Sequence, residues 1–187
     1  MIKAGQIEKG MSLLFKNDPY LVTEREFVNP GKGSAFVRLK LKNLKTGLVL
    51  KEVIKTQESV EEVDVTERKS QFLYADDESY HFMDAETFEQ FAVSVEGFED
   101  KGLFMKEGET YDVVFWEDQP IDIIIPYKVV YTVTEAEDAV KGDTVTGATK
   151  TVRVETGLEV KVPLFIKQGE KILVNTESRE YVERVNE

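Results

Sequence analysis

In the stretch FVRLKLK, residues 36–42, Val37, Leu39 and Leu41 alternate with Arg38, Lys40 and Lys42. Successive side chains of a strand point to opposite faces, so this period of two predicts a β-strand with one apolar face on a core and one cationic face in water. The same alternation recurs along the chain at residues 11–15, 19–28, 48–56, 71–75, 111–116, 120–125, 128–134, 151–155, 158–166 and 171–174. Turn chemistry separates these runs at Asn17-Asp18-Pro19, Lys45-Thr46-Gly47, Asp118-Gln119-Pro120, Thr156-Gly157 and Gln168-Gly169-Glu170. Many short strands so spaced predict an all-β chain built from small barrels. One segment reads differently: Asp84 is placed to N-cap AETFEQFAV, with Phe88 and Phe91 three apart on one face, which predicts a short helix of about two turns.

The chain has 187 residues, with 24 Lys plus Arg against 36 Asp plus Glu, a formal charge of -12. Spread evenly, that charge would repel phosphate and argue against nucleic acid. It is not spread evenly. Residues 1–65 carry +2, 66–126 carry -12 and 127–187 carry -2, which divides the chain into three β modules with boundaries near Glu67 and Tyr127. Residues 25–55 hold eight basic side chains and only Glu26 and Glu52 as acids. Net acidity therefore restricts where RNA can touch the chain rather than forbidding contact. No fixed-period repeat stands out. The absence of cysteine excludes disulfides and thiolate chemistry, and a single histidine, His81, leaves little from which to build a metal site. No apolar run approaches the roughly 18 residues of a membrane span, and MIKAGQIEKG at residues 1–10 lacks a signal-peptide core, so a cytoplasmic chain without a membrane partner is expected.

Three constellations carry candidate chemistry. Asn29-Pro30-Gly31-Lys32-Gly33 joins two strands. Pro30 fixes its own φ, Gly31 and Gly33 permit positive φ, and Lys32 is held at a hairpin tip without bulky neighbours. Such a lysine can enter a narrow site or be presented to a modifying enzyme; an ordinary turn with a solvated lysine is the simpler reading. The spacing does not fit a phosphate-binding loop, which needs G-x-x-x-x-G-K-[ST] before a helix. Arg38, Lys40 and Lys42 share one strand face, a stripe suited to tracking phosphates, although lysines also keep a sheet face soluble. The loop from Lys141 to Lys150 gathers Gly142, Asp143, Thr144, Thr146 and Gly147, small and hydroxyl residues that suit close approach to a polar polymer or a plain connection. Asp76-Asp77-Glu78 reads as an acidic turn, His81 as structural or surface, and Trp116 as packing.

Together these segments resemble bacterial translation elongation factor P from end to end. PGKGSAFVRLKLKNLKTG (30–47) is similar to the family's first-domain arm, and FLYADDESYHFMDAETFEQ (72–90) to its second-domain motif. In the C-terminal stretch Lys150, Val152, Gly157, Val160, Val162, Pro163, Ile166 and Gly169 fall at the family's spacing. Asp77 and Thr151 depart from it, where many members have Gly and Pro. The resemblance implies an SH3-like, KOW-type domain at 1–65 and OB-type barrels at 66–126 and 127–187, in an L that mimics tRNA. It implies an accessory factor rather than an enzyme, with no catalytic residue or metal, binding the ribosome between the peptidyl and exit sites and stimulating peptide-bond formation at consecutive prolines. Lys32, supported by Pro30, Gly31 and Gly33, then approaches peptidyl-tRNA and is the site for a lysine-modifying enzyme, a β-lysyl group being the usual bacterial candidate beside other lysine attachments that occur in the family, and no other cofactor is expected. Arg38, Lys40 and Lys42 contact RNA, Gly142, Asp143, Thr144, Thr146, Gly147 and Lys150 are candidate third-domain contacts, and the chain works as a monomer. The competing readings are the elongation-factor-P-like paralogue and a non-ribosomal β-barrel interaction module.

Overall fold

The structure is a computed structural model that describes residues 1–137 and 148–186. The alternating runs become strands of three successive antiparallel sheets. The first contains β1 (Ile2–Lys3), β2 (Ser12–Phe15), β3 (Asp18–Val28), β4 (Phe36–Asn43), β5 (Val49–Lys55) and β6 (Ser59–Glu62), in the order β1-β6-β2-β3-β4-β5. The second contains β7 (Val65–Ala75), β8 (Ser79–Asp84), β9 (Gln90–Ser94), β10 (Thr110–Trp116) and β11 (Gln119–Ile124), ordered β11-β10-β7-β8-β9. The third contains β12 (Lys128–Ala136), β13 (Thr149–Val154), β14 (Glu159–Pro163), β15 (Lys171–Asn175) and β16 (Glu180–Val185), ordered β14-β13-β12-β15-β16. Its outer strands β14 and β16 approach each other, so the sheet curls toward closure. Among the described residues no helix is long and apolar enough to cross a membrane.

By compactness the chain divides into two units, Met1–Arg68 with Val113–Asp122, and Lys69–Asp112 with Ile123–Glu187. In the first, the inward residues of β4 (Val37, Leu39 and Leu41) are buried with Leu13, Tyr20, Val22 and Ile7. Lys16 and Asn17 adopt left-handed backbone, φ 50° and 67°, and make the two-residue turn between β2 and β3. In the second unit, Tyr131, Val133, Val152, Val154, Val160, Val162, Ile172 and Val174 form the core of the third sheet. Phe104, which follows a 3-10 helix at Glu99–Leu103, joins that core. The buried Tyr131 hydroxyl donates to the Phe104 carbonyl at 2.6 Å, and Thr156 donates to the carbonyl of Leu103 at 2.5 Å. Burial pushes the Tyr131 phenol well above its ordinary pKa.

The helix expected from Asp84 is absent. Asp84 ends β8, and the chain reverses into β9, placing Phe82 opposite Phe91 with rings stacked at 5.7 Å. The Asp84 carboxylate accepts from the backbone N–H groups of Glu86 and Thr87 at 2.8 and 3.0 Å, so it caps a turn instead of a helix. Phe88 takes φ 61° and is exposed, whereas Phe91 packs across the hairpin. An acceptor two or three residues before free N–H groups serves a turn as well as it serves a helix, and cross-strand aromatic packing decided between them. The helical segments among the described residues are the 3-10 turns Ala4–Gln6 and Glu99–Leu103.

Candidate functional site

The β3–β4 hairpin joins the first sheet's two longest strands. Its pairs Val28–Phe36, Phe27–Val37, Glu26–Arg38, Arg25–Leu39 and Glu24–Lys40 are all symmetric about position 32, so Lys32 stands at the centre of the connection. Gly33 supplies the left-handed turn, φ 104°, while Gly31 does not use positive φ. A Cβ built at either glycine would meet nothing within 4 Å, so the tip is open on both sides of Lys32. Pro30 is partly exposed and Lys32 exposed. Among the described residues the Lys32 ammonium has no recorded hydrogen bond or ion pair. Below the tip, Arg25 lies over the half-exposed Phe27 ring at 5.9 Å and Arg38 over Phe36 at 5.6 Å, cation–π contacts that stiffen the arm's end.

Strand β3 carries a bulge. Val22 pairs with Leu41, but the next pair is Glu24 with Lys40, leaving Thr23 unpaired. The Thr23 hydroxyl donates to the Lys40 carbonyl at 3.0 Å. Without the extra residue, strict alternation from Tyr20 and Val22 would turn Glu24 and Glu26 toward the core; with it, both face outward, opposite Lys40 and Arg38. Lys40 bonds Glu24 at 2.9 Å and Arg38 bonds Glu26 at 3.3 Å. The Lys40 hydrogen bond, and then its charge, hold the Glu24 carboxyl below its ordinary pKa.

The expected cationic stripe is therefore real in position and partly neutralised in charge. Lys42 differs from its two neighbours: Leu21 and Val49 lie across from it. Sequence reasoning missed Glu24 and Glu26 as part of this site. The signal was available in the hairpin symmetry about Lys32, which sets a Glu-x-Glu against an Arg-x-Lys.

Elsewhere, Gly142, Asp143, Thr144, Thr146 and Gly147 lie outside the described residues. Lys150 is the second residue of β13, where its ammonium donates to the Glu137 carbonyl at 2.9 Å. Asp76 closes the β7–β8 turn by accepting from the N–H groups of Glu78 and Ser79, and contacts His81 at 2.6 Å. The His81 contact, with those N–H groups, lowers the Asp76 pKa. The His81 ring stacks on Tyr74 at 4.3 Å, which accounts for it as a structural residue. Lys45 lies over Trp116 at 4.9 Å, and its ammonium binds Asp18 at 2.8 Å.

Three family models match in sequence along the chain: the elongation factor P KOW-like domain at residues 3–60, the elongation factor P OB domain at 65–123, and the elongation factor P C-terminal domain at 129–184. Elongation factor P of Treponema denticola is 55% identical over 186 residues, covering 100% of both chains. That of Borrelia hermsii is 55% identical over 189 residues, covering 100% of this chain and 98% of the other. Among solved structures, eukaryotic translation initiation factor 5A from Methanococcus jannaschii superposes with a TM-score of 0.51 at 22% identity, covering 66% of this chain and 93% of that one, a likeness of fold. The chain belongs to the elongation factor P family, whose members are translation elongation factors rather than enzymes.

Proposed function

We propose that this chain binds the ribosome between the peptidyl and exit sites and promotes peptide-bond formation at consecutive prolines by holding peptidyl-tRNA through Lys32. The observation that carries the reading is the tip itself: an exposed lysine at the centre of a symmetric hairpin, unpaired among the described residues, while Arg38 and Lys40 below it are paired. Proline is a constrained secondary amine that accepts the peptidyl group slowly. Fixing the tRNA end would restore positional and orientational advantage without an acid, base or nucleophile from this chain. A cation longer than lysine reaches further along the CCA backbone, which is what a β-lysyl group on Lys32 would supply; a lysine-modifying enzyme would find the residue accessible. Arg38, Lys40 and Lys42 would steady the arm on phosphates. The third-domain loop and Lys150 would add contacts, in a monomer divided at 1–65, 66–126 and 127–187.

Lys32→Ala tests this directly. It should abolish rescue of a triple-proline reporter and leave thermal unfolding unchanged; normal rescue defeats the proposed role of the tip. Intact-mass spectrometry of natively expressed chain, with peptide mapping of residue 32, reads the modification.

A further inference from the structure

The outward face of β4 and β5 presents five cations, Arg38, Lys40, Lys42, Lys51 and Lys55, and the bulge in β3 lays two carboxylates against them. The placement is asymmetric: Glu24 and Glu26 engage Lys40 and Arg38, nearer the tip, while Lys42 faces Leu21 and Val49. Both carboxylates are more than half exposed, as is Arg38, and Lys40 is 38% exposed. Exposed ion pairs are weak and exchange readily, so these pairs contribute little to holding the hairpin together. Their orientation is nonetheless set by the backbone: the Thr23 bulge brings two carboxylates out of the core parity and onto the cations.

We infer that Glu24 and Glu26 are specificity-determining residues, built-in competitors that occupy Arg38 and Lys40 until a correctly placed phosphate displaces them. This rests on the proposed contact of the arm with RNA and goes beyond it. A phosphate reaching Arg38 or Lys40 must expel a carboxylate, which then takes up a cation from solution. That uptake offsets part of the counterion release that drives non-specific binding. Arbitrary RNA gains little by the exchange. A site that also engages Lys32 meets the phosphates already aligned, and the displacement cost falls mainly on wrong partners.

The test compares the full chain with Glu24→Gln/Glu26→Gln, and with a control that removes the same charge from β6, Glu61→Gln/Glu62→Gln. The probe is a labelled 20-base-pair RNA duplex of arbitrary sequence, titrated between 50 and 200 mM salt. The E24Q/E26Q variant should bind the duplex roughly three- to tenfold tighter at low salt. Its log affinity against log salt should be steeper by about one to two. The β6 control should change far less, since its charges do not face the stripe. Equal gains in both variants, or none in E24Q/E26Q, overturn the inference. Arg38→Gln/Lys40→Gln separates this from the parent reading. If that variant weakens ribosome binding while E24Q/E26Q leaves duplex binding unchanged, the arm touches RNA and the competitor role alone fails. If it leaves ribosome binding unaltered, the contact fails and the inference with it.

Discussion

Tyr20-Leu21-Val22-Thr23-Glu24-Arg25-Glu26 in β3 and Tyr131-Thr132-Val133-Thr134-Glu135-Ala136-Glu137, running through β12, follow one pattern, Tyr-x-Val-Thr-Glu-x-Glu. The structure treats them alike. In each, the valine pairs with an apolar residue, Val22 with Leu41 and Val133 with Val154. In each, the threonine is bulged and donates its hydroxyl to the carbonyl opposite, Thr23 to Lys40 at 3.0 Å and Thr134 to Arg153 at 3.1 Å. In each, the following glutamate faces that same cation, Lys40 in one and Arg153 in the other. The difference lies one strand further out. Lys40 has Lys51 across from it on β5, whereas Arg153 has Glu159 on β14, whose carboxylate binds it at 3.2 Å. The stripe Arg38, Lys40, Lys42 corresponds to Thr151, Arg153, Glu155. One backbone device thus leaves surplus positive charge on the first hairpin and encloses a lone arginine between two carboxylates, Glu135 and Glu159, on the third sheet. The bulge orients the glutamate; the neighbouring strand decides whether the face can attract phosphate.

The strongest way to break the comparison is beneath the bulges. Leu41 is wholly buried and Val154 nearly so. Leu41→Ala should cost about 2–5 kcal/mol in urea unfolding. Val154→Ala should cost about 2 kcal/mol, two methyl groups at about 0.8 kcal/mol each and a small cavity. A larger loss at Val154 would mean that the two positions are not equivalent. The tyrosines should diverge more sharply. Tyr131 donates to the Phe104 carbonyl from full burial, so Tyr131→Phe leaves that acceptor unsatisfied and should cost about 1–3 kcal/mol. Tyr20 packs edge-on against Phe15 at 5.8 Å, with no recorded hydrogen bond from its hydroxyl among the described residues, and Tyr20→Phe should stay within about 0.5 kcal/mol.

The inward set Val37, Leu39 and Leu41 was legible in the sequence because burial and the pleat have the same period. The tip was legible because Pro30, Gly31 and Gly33 restrict and free the backbone in ways that few structures other than a turn require. The bulge was not. Thr23 fits an alternating strand as well as any residue, and alternation is read by counting, which a bulge silently shifts by one. The clue is an acid at a parity that ought to be buried, Glu24 and Glu26 in step with Tyr20 and Val22. The repeated Tyr-x-Val-Thr-Glu-x-Glu pattern is present in the sequence, but its meaning depends on the register shift that both copies share. Asp84 misled for the opposite reason: its capping chemistry was right, and the long-range pairing of Phe82 with Phe91 determined what it capped.

If the bulges are one device, their threonines should behave as one. Thr23→Val and Thr134→Val each remove a hydroxyl and keep the shape. Each should lose about 1 kcal/mol, because only the hydrogen bond to the opposite carbonyl changes. Losses of unfolding free energy differing by more than a few tenths of a kcal/mol would separate the two sites. Close agreement would sharpen the contrast in their charges, since the backbone contribution would then be the same.

The smallest effect is expected where the two strands begin. Two residues before Tyr20 stands Asp18, whereas two before Tyr131 stands Val129, so the aspartate at the root of the first hairpin has no counterpart at that position of β12. Asp18 accepts from the Lys45 ammonium at 2.8 Å and from the Asn43 amide at 3.1 Å, and these bonds, Lys45 first, hold its pKa below the ordinary aspartate value. A depressed carboxylate stabilises the fold above the unfolded-state pKa, near 3.9, and the stabilisation is lost as pH falls through the lower, folded value. Asp18→Asn should therefore be slightly less stable than the parent at pH 7, with the gap closing as both are titrated below about pH 3. Urea midpoints measured at both pH values check it. A gap that persisted in acid would assign Asp18 a packing role in place of an ionic one.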